Sequence, residues 1–276
     1  MQAGLSSTTA RPQGGDATKH LAVGRVLFWT GGSLWIGRGE GRTEWHDHHA
    51  LQIALALEGA CLFRTEREGG WTEFAGALVG SHKLHQFQAD SAPAVAHLFV
   101  EPETPEGRAL RDWLGDATIA PLPEPECTLM VEALRQVLHA PTEATIAAAR
   151  SALAVLAGVP APAGQVDPRV AKAIAHARAQ LNGDLTLASA ADAAALSPGR
   201  LRHLFVQETG TGFRVYVLWL RLNAAIQAAQ AGHTWTQAAH AAGFADSAHL
   251  ARTFKRMFGL NPAALVQTNA GDAAGV

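Results

Sequence analysis

Cysteine is nearly missing from this chain. It has two, Cys61 and Cys127, far apart and in no CxxC pair. That argues against a disulfide framework or a cysteine-based metal knuckle and fits a reducing compartment, so the cytoplasm is expected. Long apolar runs are missing too. The richest stretch, residues 147–159, is cut by Arg150 and closed by Pro160, so no membrane span is expected. Residues 1–20 lack the apolar segment of a signal peptide and read as a disordered tail, as do residues 268–276. Nor is there a large charge excess. The net charge is -2, with 17% charged and 48% hydrophobic residues, the balance of a globular protein. That small total hides an asymmetry. Residues 1–164 carry 12 Lys and Arg against 18 Asp and Glu, whereas residues 165–276 carry 10 against 6. The basic half is the one suited to a polyanion.

What is present divides the chain of 276 residues, which is long enough for two cores. In residues 21–104, RVLFWT, SLWIGR, LQIALAL, ACLFRTE, ALVGSH and AVAHLFV are short apolar or alternating runs separated by turn residues, the pattern of a strand-rich barrel or sandwich. Residues 105–157 switch to helical spacing at 105–115, 126–139 and 142–157. Met130, Leu134, Val137 and Leu138 form one stripe, and Ile146, Ala149, Leu153 and Leu156 another. These helices can cap the sheet or pair two subunits in a homodimer. Residues 158–166, rich in Pro and Gly, read as a linker.

Residues 167–267 read as almost wholly helical. A short helix over 187–195, the turn LSPG and a second helix over 197–208 are followed by a long helix over 213–231. The plan then repeats as TWTQAAHAAGF and ADSAHLARTFKRMFG, and NPAALV starts one more helical turn. Ser197 before Pro198, and Asp246, are the expected N-caps. Two short helices with a basic, polar second helix have the layout of a helix-turn-helix. A connecting helix of eighteen residues spans roughly 27 Å, which suits major grooves about 34 Å apart on one face of DNA.

GFADSAHLARTFKRMFGLNPAAL, residues 243–265, resembles the signature of the AraC-type transcriptional regulators (the AraC/XylS family) in Gly243, Phe244, Arg252, Phe254, Lys255, Phe258, Gly259 and Pro262. The resemblance covers 167 to about 267 and includes LSPGRLRHLFVQETG. It departs at His249, where an aromatic is usual, at Leu250 for Phe and at Trp235 for Ile. The resemblance implies double-stranded promoter DNA as partner, with RNA polymerase a further one. Base edges would be read by Arg200, Arg202 and His203 on the first recognition helix and by Ser247, His249 and Arg252 on the second. Arg suits guanine, and His and Ser can reach base edges or phosphates. Lys255 and Arg256 suit phosphates. Leu201, Leu204, Phe205, Phe244, Leu250, Phe254 and Phe258 are expected to be core.

The front half holds EWHDHHALQ at residues 44–52. The surrounding stretch resembles the first motif of the cupin barrels, with His46, His48, Gln52 and Gly59 standing where His, His, Glu and Gly are usual. GALVGSHKLHQF resembles the second, with His85 as its terminal histidine, His82 as fallback and His97 as an outside candidate. On a strand, 46, 48 and 52 share a face while 49 takes the other, so His46, His48 and Gln52 are expected inward and His49 outward. With His85 they would make a site for a divalent transition metal, Zn, Ni, Fe or Cu. Gln52 in place of the usual glutamate is a weaker, neutral ligand and counts against catalysis; histidines that merely line a pocket are the competing reading. Trp35, Trp45, Phe63 and Trp71 are candidate walls of an effector pocket. The expected fold is therefore α+β in two domains: a cupin-like β-barrel with appended helices, and an all-α domain with two helix-turn-helix units. The expected function is a sequence-specific DNA-binding regulator whose barrel senses a small-molecule effector and a metal. The alternative is a cupin metalloenzyme of oxygenase or isomerase type with an accessory helical domain.

Overall fold

The computed structural model describes residues 21–89, 94–138, 140–158, 166–183 and 185–267. The tails expected at 1–20 and 268–276, and most of the expected linker, lie outside the described residues. The N-terminal half contains β1 (Leu21–Trp29), β2 (Gly32–Glu40), β3 (Leu51–Ala56), β4 (Cys61–Arg64), β5 (Thr72–Phe74), β6 (Gly76–Val79), β7 (Gln86–Gln88), β8 (Val95–Val100), α1 (Pro105–Leu114), β9 (Ile119–Pro121), α2 (Glu124–Gln136) and α3 (Thr142–Ala157). A larger sheet runs in the order β10-β1-β2-β8-β3-β6-β9 and a smaller one in the order β5-β4-β7, where β10 (Leu265–Gln267) comes from the far end of the chain. β1 and β2 are antiparallel and joined through Thr30 and Gly31, where the positive φ of +89° suits glycine.

Both faces of the larger sheet are covered, and period-two alternation decides what each residue meets. Leu27, Leu34, Ile36, Ile53, Leu55, Leu78 and Leu98 pack with Leu110, Met130, Leu134, Ala149 and Leu153 of α1–α3. Each fully buried leucine or isoleucine there contributes roughly 1.5–3 kcal/mol relative to exposure. On the opposite face Val26, Trp35 and Phe99 join the core of the C-terminal helices, and Ala54, Ala77, Phe63 and Phe87 fill the space between the two sheets. Gln52 is a buried polar residue on that inner face, in register with Phe99.

The C-terminal half contains α4 (Pro168–Ala179), α5 (Leu187–Ala193), α6 (Pro198–Thr209), α7 (Phe213–Gln230), α8 (Trp235–Ala241) and α9 (Ser247–Phe258). α5–α6 and α8–α9 are built alike on either side of α7. Thr186 and Thr234 open their short helices with reciprocal capping boxes to Ser189 and Gln237. The connecting turns each carry one left-handed residue, Ala195 and Gly243. Ser197 and Asp246 cap the longer helices by accepting from the Arg200 and His249 amides. Those helices stop at Gly210 and Gly259, both left-handed, as a helix C-terminus favours. All seven residues expected to be core between Leu201 and Phe258 are buried.

Three expectations are corrected or refined. Residues 44–50 are not strand: β3 begins at Leu51, and the strand-like pairing of the preceding loop is confined, among the described residues, to the isolated bridges Arg42 with Gln88 and His46 with His85. NPAALV starts the further helical turn expected of it but does not continue as helix. Pro262–Ala264 makes one 3-10 turn, and Leu265–Gln267 then pairs in parallel with β1, so the end of the basic half completes the N-terminal sheet. The strands β5, β7, β9 and β10, three residues each, were too short to be read as alternation.

Candidate functional site

The loop between β2 and β3 and the turn before β7 bring three histidines together. His46 and His85 face each other in an antiparallel bridge, exchanging both backbone hydrogen bonds at 3.0 Å. Their rings are 4.1 Å apart between centroids, and the His48 ring lies 5.2 Å from that of His85. One ligand atom from each residue lies within 4.8 Å of the others, and all three residues are buried. Each ring is anchored in the same way, by Nδ1–H donating to a backbone carbonyl: His46 to Glu44 at 2.9 Å, His48 to Ala50 at 2.7 Å and His85 to Lys83 at 2.8 Å. A carbonyl only accepts, so the proton sits on Nδ1, and a neutral ring keeps its lone pair on Nε2. Burial lowers the pKa of His48. Burial, with the neighbouring His46 charge, holds that of His85 well below the usual histidine value.

Gln52 completes the set. Its Oε1 lies 2.9 Å from His48 Nε2 and 3.2 Å from His85 Nε2, while its Nε2 faces His97 Nδ1 at 2.9 Å. Two imidazole lone pairs thus converge on the Gln52 amide, which can set its oxygen beside them around a shared cation or, turned over, donate its N–H groups to them. This donor set fits a divalent transition metal: imidazole nitrogens oriented by carbonyls, plus one neutral oxygen. His97 stands behind Gln52 rather than in the cluster. His82 is absent from the cluster and lies 3.4 Å from Asp47 Oδ2, and that contact is the leading cause of the lowered Asp47 pKa.

A cavity of about 80 Å³ adjoins the cluster. One buried water needs about 10–15 Å³ on this measure, so the space suits a small molecule. Trp35, Phe87 and Phe99 wall it, His46, Gln52 and His97 supply polar groups, and Phe258, Leu260 and Leu265 come from the C-terminal end of the chain. Of the four residues expected to line a pocket, Trp35 alone lines this one. Trp45 instead stacks beneath the Arg64 and Arg67 guanidinium groups at 5.8 and 5.3 Å. Phe63 is buried behind His85, and Trp71 precedes β5 away from the cavity. Phe63 belongs to the separate sheet of β4, β5 and β7 and Trp71 to its β4–β5 connection, whereas Trp45 sits in the loop between β2 and β3.

His49 turns away from the cluster, but not to solvent. It is 0% exposed, donates through Nε2–H to Glu103 Oε2 at 3.1 Å and meets Tyr216 of α7 edge-on at 5.1 Å. Beside it, Glu101 bonds Arg178 of α4 at 2.5 Å and Trp219 Nε1 at 3.3 Å. Burial raises the Glu101 pKa, helped by the charge on Glu103, whereas His49 brings the Glu103 pKa down against the opposing effect of burial. Two more ion pairs cross between the halves, Arg108 with Glu208 of α6 at 3.0 Å and Glu44 with Lys255 of α9 at 2.7 Å. Sequence reasoning missed this interface. Its one visible sign was a pair of carboxylates, Glu101 and Glu103, directly after the apolar strand β8.

The basic face lies elsewhere. Arg200, Arg202, His203, Arg252 and Arg256 are exposed, while Ser247, His249 and Lys255 are half-buried. His249 packs edge-on against Phe244 at 5.2 Å, and with Arg202, Arg214 and Arg221 it lines a groove between α6 and α9. Nothing stands within 4 Å of a Cβ built on Gly199, so α6 starts with open space beside Arg200.

Comparison with known proteins agrees with this layout. The Helix-turn-helix domain family matches residues 190–268. ToxT from Vibrio cholerae O395 superposes with a TM-score of 0.53 at 12% identity, over 84% of this chain and 95% of that one. The AraC-type DNA-binding domain of a transcriptional regulator from Chromobacterium violaceum is 30% identical over 35% of this chain and 87% of that chain, with a TM-score of 0.34. No match was found among curated proteins. Among the described residues no helix is long and apolar enough to cross a membrane. Residues 190–268 thus form an AraC-type helix-turn-helix domain, behind a β-rich half in a ToxT-like two-domain fold.

Proposed function

We propose that this regulator senses a divalent transition metal, held by His46, His48, His85 and Gln52, together with a small effector in the adjoining cavity of its cupin-like half. The observation that carries the reading is the convergence of His46, His48 and His85, each ring oriented by a backbone carbonyl, in one buried cluster beside Gln52. A bound metal would supply positive charge and an open coordination position for the head group of an effector. The apolar walls select the rest of that molecule. ToxT structures hold an unsaturated fatty acid and a naphthalenyl butenoic acid, both apolar carboxylates. A small apolar acid is accordingly the first effector class to screen here. Helix pairs α5–α6 and α8–α9 act as two helix-turn-helix units. Arg200, Arg202, His203, Ser247, His249 and Arg252 read bases, and Lys255 and Arg256 hold phosphates. Leu129 and Val155, exposed on α2 and α3, support a homodimer through those helices.

The test is metal analysis of protein purified without added metal, comparing wild type with His46→Ala/His48→Ala. About one equivalent in wild type, lost in the variant, is expected; contents near zero in both sink the metal reading. The same three-histidine donor set beside a cavity favours one competing reading, a metalloenzyme. Catalytic turnover of a cavity-sized substrate by metal-loaded wild type, lost in the double variant, would decide for it.

A further inference from the structure

The loop that carries His46 also caps the second recognition helix. The last carbonyls of a helix have no partner within it and need donors from outside. For α9, two of these donors are in the histidine loop: the Glu44 amide donates to the Gly259 carbonyl at 2.7 Å and the Asp47 amide to the Arg256 carbonyl at 3.3 Å. The Glu44 carboxylate adds an ion pair to Lys255, and the Glu44 carbonyl accepts from His46 Nδ1. Residues 44–47 therefore position an imidazole on one side and close a DNA-reading helix on the other. Contact at Gly259 is closer still. A Cβ there would stand 2.5 Å from the Glu44 carbonyl oxygen, 2.7 Å from His46 Nδ1 and 2.8 Å from the Thr43 Cβ.

We infer that metal binding at the histidine cluster and docking of α9 are one linked equilibrium, with Gly259 as the positioning residue that joins them. The inference rests on the metal reading above and adds how the site is read out. A metal that fixes His46 orders residues 44–47 and strengthens the cap on α9; by thermodynamic reciprocity, loosening α9 from the loop weakens metal binding. Lys255 belongs to the same link, since it must leave Glu44 to hold a phosphate.

The experiment uses full-length protein and Zn(II) alone as probe, with affinity read by competition against a chromogenic chelator. Gly259→Ala is compared with Gly210→Ala, the matching helix stop of α6. Both glycines are left-handed, with φ of +69° and +74°, but nothing lies within 4 Å of a Cβ at Gly210. Backbone strain is therefore common to both variants, and pressure on the histidine loop belongs to Gly259→Ala alone. A loss of Zn(II) affinity of at least tenfold in Gly259→Ala, with Gly210→Ala within twofold of wild type, is expected. Wild type supplies a second readout that needs no variant. Zn(II) should slow amide hydrogen exchange in the last turn of α9 several-fold and leave the last turn of α6 unchanged. Equal affinities in wild type and Gly259→Ala, equal losses in the two variants, or no change in α9 exchange overturn the linkage while the metal site stands. Zn(II) binding by wild type no tighter than by His46→Ala/His48→Ala overturns the metal reading and the linkage together.

Discussion

Phe258 lies where the two halves of the molecule meet, and its removal has a calculable cost. The ring ends α9, is 4% exposed, and lies 4.6 Å from Trp35 and 5.5 Å from Phe99 on the N-terminal side. On its own side it meets Phe254 at 5.1 Å and Trp219 at 6.0 Å. Truncating a buried Phe to Ala costs about 3–5 kcal/mol. Phe258→Leu separates the contributions, because most apolar volume stays while all four ring pairs go. At about 0.5–1.5 kcal/mol each, the two cross-half pairs supply about 1–3 kcal/mol of that loss. Urea unfolding would be followed both by tryptophan fluorescence, since Trp35 and Trp219 flank the ring, and by far-ultraviolet circular dichroism. Coincident midpoints shifted down by these amounts, with unchanged slopes, are expected if the halves unfold as one unit. A loss below about 1 kcal/mol in Phe258→Ala would refute the burial of this ring between the halves. Equal losses in the Ala and Leu variants would refute the share assigned to ring pairing.

Other expectations are more local. Arg202→Ala or Arg252→Ala should weaken binding to the cognate DNA by about 1–3 kcal/mol and relax preference at one base pair, and a mobility-shift titration matching wild type would remove that residue from the reading set. Gln52→Glu should hold Zn(II) more tightly than wild type in chelator competition and Gln52→Leu less tightly, because the substitutions add a negative charge to the donor set or remove its oxygen; the reverse order would place Gln52 outside it. His97→Ala, which removes the group behind Gln52, should weaken Zn(II) binding by about 10–100-fold. Asp167, which accepts from the Arg169 side chain and amide at the start of α4, should titrate at about 2 by nuclear magnetic resonance. Its folded pKa lies below the unfolded one, so its stabilisation is present above pH 4 and lost as pH falls toward 2; an unshifted titration would show the pair is not formed.

Much of the C-terminal half was legible because its signals are local. Ser197 and Asp246 as caps, Gly210 and Gly259 as stops, and the buried stripe from Leu201 to Phe258 all follow from spacing within one helix. The histidine cluster was legible for a less secure reason. Strand parity put His46, His48 and Gln52 together, and they do converge, yet 46 and 48 lie in a loop. There the anchoring of each Nδ1 on a carbonyl, rather than a pleat, sets the ring direction. The cavity walls were read poorly, since Trp45, Phe63 and Trp71 have suitable chemistry but Phe63 and Trp71 belong to the smaller sheet and its connection, and Trp45 turns from its loop to Arg64 and Arg67. Phe87, Phe99 and Phe258 took their places through pairings that no short window contains.

The amino-acid order by itself determined the class of each segment, the charge division between the halves, the caps of α6 and α9 and the residue types available to hold a metal. Each depends on neighbours a few positions apart. Tertiary structure alone decided that β10 pairs with β1, that His49 is buried against Tyr216 and that Glu44 and Asp47 cap α9. Those contacts join residues some two hundred positions apart, and their geometry depends on how whole faces pack rather than on any local preference.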